Sequence, residues 1–284
     1  MSSPPPTPAD LSIRPRDLSF ARAAQGRWWL GGDPVATAFY DALSVTFPLG
    51  ERFFMDSVRR YRDAAPPVLQ EQIAAFLSQE ALHTREHILF NKQVGDHGYD
   101  VAAMEARTRA RLNFARRRPP LDQLAATAAL EHFTAILAHA LLTDPRHLDG
   151  AGDEAKALWS WHALEEIEHK AVAYDTLMLA SRSMSRFRRW ALRCSVMLAA
   201  TALLISTVGD NIADSFTVDG LNNARGWRRL AGYLLVRPGM VRQVLGQYCL
   251  YFLPGFHPWR HDDRGLIAQA EQRLSTFNEA QATA

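Results

Sequence analysis

Three residues in the segment WHALEEIEHKAVAYD (161–175) stand at positions i, i+4 and i+7: His162, Glu166 and His169. At about 100° per residue they fall within roughly 60° of arc on one face of a helix. A bare helix gains nothing from stacking imidazole, carboxylate and imidazole, whereas a divalent metal binds neutral imidazole and ionised carboxylate together. The segment SQEALHTREH (78–87) carries a related pattern, with Glu80 and His83 at i and i+3 and His87 a turn farther along the same face. One Glu-x-x-His pair means little. Two of them, each with a further histidine on the same face, are hard to explain by packing.

Two more acids complete a set. Glu51, in PLGERFF, opens a helix, where the macrodipole would also favour it. Glu131, in ATAALEHFTAILAHA, sits between apolar residues, and an ionised carboxylate there costs several kcal/mol unless paired or coordinated. The candidate ligands, through which any catalysis would run, are therefore Glu51, Glu80, His83, Glu131, His162, Glu166 and His169. Four carboxylates balance two divalent ions, and hard oxygens with imidazoles suit iron or manganese better than copper. Behind the ligands we place His87, Glu165 and Asp175, although the helical phase of Asp175 does not favour that role. Glu165 is also the alternative to Glu166 as a ligand; the alternative for His162 is a supporting or structural role, and the alternative for His87 is direct ligation. Glu168 points away from the ligand face and is expected to be solvated or paired with arginine.

The elements that must present these groups read as helix after helix. Pro48 and Gly50 precede a helix from about Glu51, which Pro66–Pro67 end. A second runs from about Val68 to Val94, and a polar, Arg-rich helix lies within 99–120. A third runs from Leu121 to about Thr143 and a fourth from about Asp153 to Ser183. No segment alternates with period two, so strands are not expected. The first and second helices are joined tightly, as are the third and fourth, while the connection between the pairs is long enough to cross the bundle. That is an all-α, ferritin-like four-helix bundle with one long crossover.

We divide the chain into a disordered Pro-rich tail (1–16), the bundle (17–183) and an apolar, basic helical extension (184–284). Around the start of the extension, arginines 182, 186, 188, 189 and 193 precede CSVMLAATALLISTV (194–208), which is too short to span a membrane comfortably. The extension is expected to pack on the bundle, with a place on the membrane surface as the alternative. The aromatic stretch 251–263 reads as a packing turn or as a cover over the bundle. Trp159, Trp161, Phe53 and Phe54 read as core, and the six other histidines (97, 132, 139, 147, 257 and 261) fit no ligand spacing.

The 284 residues carry 32 basic and 30 acidic side chains, a formal charge of +2, so nothing electrostatic argues for nucleic acid as a partner. Two cysteines without a CxxC pair exclude thiolate metal sites, and Cys194 and Cys249 read as small apolar residues. The polar start MSSPPPTPAD lacks a basic, apolar leader, so the expected compartment is cytoplasmic, with the inner face of the membrane as the peripheral alternative. No phosphate loop, GxSxG elbow or HExxH is present.

Four segments, WLGGDPVATAFYDALSVTFPLGERFF, QEALHTREHILFN, ALEHFTAILA and WHALEEIEHKAVAYD, resemble the bacterial family of predicted metal-dependent hydrolases, over about Arg14 to Phe277. That resemblance implies a metal and a hydrolytic reaction. The ligand order is also similar to that of the ferritin-like di-iron N-oxygenases, which use a Glu, a Glu-x-x-His, another Glu and then His-x-x-x-Glu-x-x-His. Glu51, Glu80–His83, Glu131 and His162–Glu166–His169 match it in that order. The match covers the bundle core alone, and His87 and the apolar C-terminal third depart from it, so an arylamine substrate does not carry over.

The expectation is a non-haem oxidase or oxygenase with two iron ions (alternatively Mn/Fe, Mn/Mn or Zn). It would use dioxygen, a reductant and a small organic substrate, hydrophobic or lipid-like. A metal-dependent hydrolase is the alternative, and a non-catalytic metal-binding or membrane-surface bundle a second one.

Overall fold

The computed structural model describes residues 7–8, 10–20 and 25–282, with side chains described as far as residue 276. Among these residues the regular structure is helical, without strands, as the sequence predicts. Helix α1 spans Pro34–Ser44, α2 Phe47–Arg59, α3 Pro67–Asp96, α4 Val101–Arg116, α5 Pro120–Thr143 and α6 Asp153–His169. Helix α7 (Val172–Ala180) follows at once, and then come α8 (Arg186–Val218), α9 (Ala224–Leu235), α10 (Met240–Leu250) and α11 (Arg264–Ala282).

Three boundaries differ from the sequence expectation. Helix α1 has no counterpart in it; Asp33 caps this helix through a 2.8 Å bond from Val35 N–H, and Pro34 fills its first turn. Pro48 and Gly50 lie inside the first turn of α2 rather than before it, because a first-turn proline forfeits no helical hydrogen bond. The expected single helix over 153–183 is interrupted at Lys170–Ala171, where both backbones stay right-handed helical and no proline or glycine marks the joint.

Helix α2 lies against α3 and α5 against α6, and α4 occupies the connection between the pairs. Two apolar clusters bracket the middle of these helices. One gathers Phe53, Phe54, Ile73, Phe76, Leu124, Ala128 and Leu177. The other gathers Tyr40, Phe90, Ile136, Trp159, Trp161 and Leu164. Each cluster takes the part of each helix that antiparallel packing brings to its end, so the polar residues between them are enclosed from both ends. Phe53, Phe54, Trp159 and Trp161 are core, as their sequence contexts predict.

In the expected extension, the apolar run 194–208 belongs to the much longer α8, which lies along α5 and α1. By length and composition α5 and α8 are each apolar enough to cross a membrane, yet α5 is mostly buried inside the protein. Helix α8 carries Asp210 and Asp214, which hold Arg111 and Arg107 of α4 at 2.7 Å each. The stretch 251–263 packs beside α7, with Tyr251 and Phe256 against Ala129, Tyr174 and Met197. Of the expected N-terminal tail, residues 1–6 and 9 lie outside the described residues. The Arg14 and Arg16 backbone amides donate to Glu168 and Glu165 of α6, which draws this end of the expected tail onto the bundle.

The turn from α5 to α6 is pinned to the segment before α1 by two glycines. Gly31 N–H donates to Gly150 O at 3.2 Å, and a Cβ on Gly150 would meet Gly31 Cα at 2.6 Å, with φ of Gly150 at +75°. Gly150→Ala is therefore expected to destabilise the fold by about 1–3 kcal/mol through backbone strain and steric displacement, read as a lower urea midpoint at unchanged slope.

Candidate metal centre

All seven predicted ligands converge. Glu51 comes from α2, Glu80 and His83 from α3, Glu131 from α5, and His162, Glu166 and His169 from α6; none is more than 4% exposed. Their donor atoms form overlapping groups, each with members within 4.8 Å of one another: Glu51–His83–His162, Glu80–Glu131–His169, and Glu80–His83–Glu166 between them. The first two suit two adjacent cations, and the third places Glu80 and Glu166 where carboxylates would be shared.

The outer nitrogen of each histidine is tied down, and those ties fix which nitrogen faces inward. His83 Nε2–H donates to Glu165 at 3.1 Å, leaving Nδ1 toward the cluster. His169 Nδ1–H donates to Gln79 Oε1 at 2.9 Å, and Gln79 Nε2 donates to Glu168 at 2.7 Å, leaving His169 Nε2 inward. His162 Nδ1 lies 2.6 Å from His87 Nε2. His87 Nδ1 in turn lies 2.8 Å from Ser44 Oγ, whose hydroxyl donates to Asn91 at 2.6 Å. With Ser44 donating to Asn91, the remaining protons of this chain can all point outward, which lets His162 Nε2 turn its lone pair inward to a bound cation; without one, the same nitrogen carries the proton toward Glu166. Arg16 closes two of these routes together, at 3.4 Å from Glu165 and 2.7 Å from Glu168.

The inward lone pairs then face carboxylate oxygens. His162 Nε2 is 2.9 Å from Glu166, and His169 Nε2 is 3.3 Å from both Glu80 and Glu131. Both oxygens of Glu80 and of Glu131, one each of Glu51 and Glu166, and His83 Nδ1 and His169 Nε2 have no hydrogen-bonding partner among the described residues. Electron pairs at such distances repel unless a proton or a metal ion sits between them, so the donor set fits a pair of hard or borderline divalent ions.

Without metal, protons must serve. Burial pushes the Glu51 carboxyl up to about 8 and the Glu131 carboxyl up to about 7. Burial and the neighbouring Glu131 and Glu166 charges raise Glu80 well above the usual range. Burial works against the His83 cation, but Glu165 and Glu166 outweigh it and raise His83 to about 9. Burial likewise opposes the charge on Glu166, but His169, His162 and His83 hold this carboxyl well below the ordinary value. Burial, helped by His83, lowers His162 to about 4.

Two supporting residues, Glu168 and Asp175, differ from expectation, and a third, Glu165, stands where it was expected. Glu168 is neither solvated nor remote: it is buried and orients His169 through Gln79, while pairing with Arg16 as foreseen. Asp175 does not orient a ligand; it lies on α7 and bonds to Thr7 and His257 at the surface, because its helical phase turns it away. Glu165 stands behind His83, so the bundle spacing holds for Glu166. Gln79 and Arg16 carried no sequence signal beyond Gln79 preceding Glu80. The six other histidines lie outside the cluster. Of these, His139 and His261 meet Asp263, whose charge is already answered by the Lys170 ammonium at 2.6 Å.

Two outcomes follow. The raised values of Glu51, Glu131 and His83 mean that the metal-free fold holds more protons than the unfolded chain between about pH 6.5 and 9. Stability of the metal-free protein should therefore fall as pH rises through that window, while metal affinity rises as the competing protons leave. Urea unfolding and chelator competition across the window check both signs. Gln79→Leu and Arg16→Met should each weaken metal binding by about 10–100-fold while leaving the helical content unchanged; competition with a chromogenic chelator and circular dichroism read the two halves.

A family model described as predicted metal-dependent hydrolase matches residues 14–262. No match is found among curated proteins or among solved structures. The matched stretch contains every helix of the cluster and all seven converging donors, and the chain belongs to this family of predicted metal-dependent hydrolases.

Proposed function

We propose that the protein is a di-metal oxidase or oxygenase of ferritin-like type, acting with iron, or with manganese in one or both positions, on a small or hydrophobic organic molecule. The observation that carries this reading is the composition of the cluster. Four carboxylates and three imidazoles, with their inward atoms lacking partners, match the charge and donor preference of two redox-active divalent ions. Such a pair, when bound, supplies the redox centre at which dioxygen is activated.

The chain contributes position and surroundings. Glu51, His83 and His162 would hold one ion and Glu80, Glu131 and His169 the other, with Glu166 between. Glu165, Gln79 and His87 fix the three rings in the ligating tautomer. The aromatic rings of Phe47 and Trp161, 5.0 Å from His162 and 4.8 Å from His83, exclude water from that side of the cluster. A structured, dry surround protects a strongly oxidising centre from side reactions.

Hydrolysis is the second reading, favoured by the description of the family. It needs a water on the metals and a polar grip on the scissile group. Seven protein donors leave few positions for both, and aliphatic and aromatic residues dominate the small cavity at His162 and Glu166.

Anaerobic loading with ferrous iron is expected to give two ions per chain, and oxygen should then produce a new visible or near-ultraviolet absorption. Glu131→Gln should reduce the stoichiometry. Binding of a single ion, or two ions with no oxygen response, would remove the oxidase reading, and ester or amide turnover without oxygen or reductant would establish hydrolysis instead.

A further inference from the structure

A cavity of about 420 Å³ lies between α2, α4, α5 and α8, a volume typical of small-molecule sites. On α5 its lining runs from Asp122 to Leu137, about 22 Å at 1.5 Å per residue. Between those ends the walls are mostly aliphatic and aromatic, with Phe54, Ala126, Leu130, Val196 and Leu203 among them; Thr108, Ser195, Thr207 and Arg111 interrupt them, and Arg111 is already engaged by Asp210 at 2.7 Å. A long, apolar slot of this kind matches a flexible hydrocarbon chain rather than a compact polar metabolite.

Its two ends differ. At one, Arg118, Asp122 and Gln123 provide the polar groups, and Arg118 is exposed. At the other stand Leu43, Phe47, Thr134 and Leu137. These same four residues also line a second, smaller cavity, about 40 Å³, whose remaining wall includes His162 and Glu166. One layer of side chains therefore separates the slot from the metal-facing donors. The Phe47 ring belongs to that layer, with its centroid 5.0 Å from that of His162 and 4.9 Å from that of His87.

We infer that this slot binds the substrate and that the substrate is an unbranched aliphatic amphiphile, with its polar head at the exposed Arg118, in exchange for the 3.3 Å contact of Arg118 with Asp122, and its apolar end at Phe47, toward the metals. Phe47 and Leu137 set how closely the chain end approaches. The inference rests on the di-metal reading for its chemistry, but the binding of the chain stands independently of it.

Dodecanoate is the probe. Calorimetric titration of the full-length protein, metal-free and loaded with manganese(II), should show saturable one-site binding, at least tenfold tighter than for hexanoate. Ala126→Trp, which fills the slot, should weaken dodecanoate binding at least tenfold at unchanged metal content and circular dichroism. Leu130→Phe serves as a second filling variant should the first fail to fold. In the manganese-loaded protein the terminal methyl proton resonance should broaden more than that of the methylene beside the carboxylate. Equal binding of both acids, or undiminished binding in the correctly folded filling variants, would overturn the assignment of the slot. Stronger broadening beside the carboxylate would overturn the orientation. If the metals do not load, the metal-free titrations still decide whether the slot takes the chain, so failure of the di-metal reading is distinguishable from failure of this one.

Discussion

The constraint on which the structure depends is the neutralisation of negative charge inside a water-excluded bundle. Glu80 has oxygens within 4.8 Å of Glu131 and of Glu166. Two unit charges about 4 Å apart repel by roughly 4 kcal/mol even at an effective dielectric constant near 20. Glu51, Glu165 and Glu168 add to the same buried volume, and Arg16 is the one arginine that reaches the outer acids Glu165 and Glu168 among the described ion pairs. Nothing in the hydrophobic packing rewards this concentration of acids. Cations must sit among the inner carboxylates, as protons in the metal-free state and as divalent ions when loaded.

The surrounding architecture follows from that requirement. The apolar clusters at the two ends keep water out, which raises the cost of uncompensated charge and strengthens attraction for a bound cation. The outer hydrogen-bond chains set the tautomers, so the imidazoles meet the cations with lone pairs rather than N–H groups. Those chains draw on distant parts of the sequence. Arg16 comes from the N-terminal segment, Ser44 from α1, and Gln79 from the helix that also gives Glu80 and His83. Segments that contribute no ligand thereby acquire a reason to be ordered on the bundle.

The helices that flank the cluster serve a second purpose. Helices α4 and α8, joined by the Arg107 and Arg111 ion pairs, close a long apolar slot against α2 and α5. The same arrangement therefore encloses the charged centre and ends an apolar slot one layer of side chains away from it. Phe47 stands at the meeting point, packed on two of the histidines and lining both cavities.

The helical class and the seven converging donors were legible in the sequence because both depend on local periodicity. A fixed rise and turn place His162, Glu166 and His169 on one face, and an acid amid alanines, as at Glu131, signals a buried partner before any fold is known. The break at Lys170–Ala171 was not legible, since no residue there forbids a helix, and α1 lacked a punctuation pattern strong enough to mark it. Glu168 illustrates the limit best: its phase on α6 correctly turned it from the ligand face, but whether that direction led to solvent or to Gln79 and Arg16 depended on what packed there. The sequence by itself determined which groups share a helix face and what ions they suit. Only the tertiary structure decided which outer residue holds each imidazole and where an apolar slot ends one layer of side chains from the centre, because those contacts join residues 40 to 150 positions apart, whose meeting no local rule encodes.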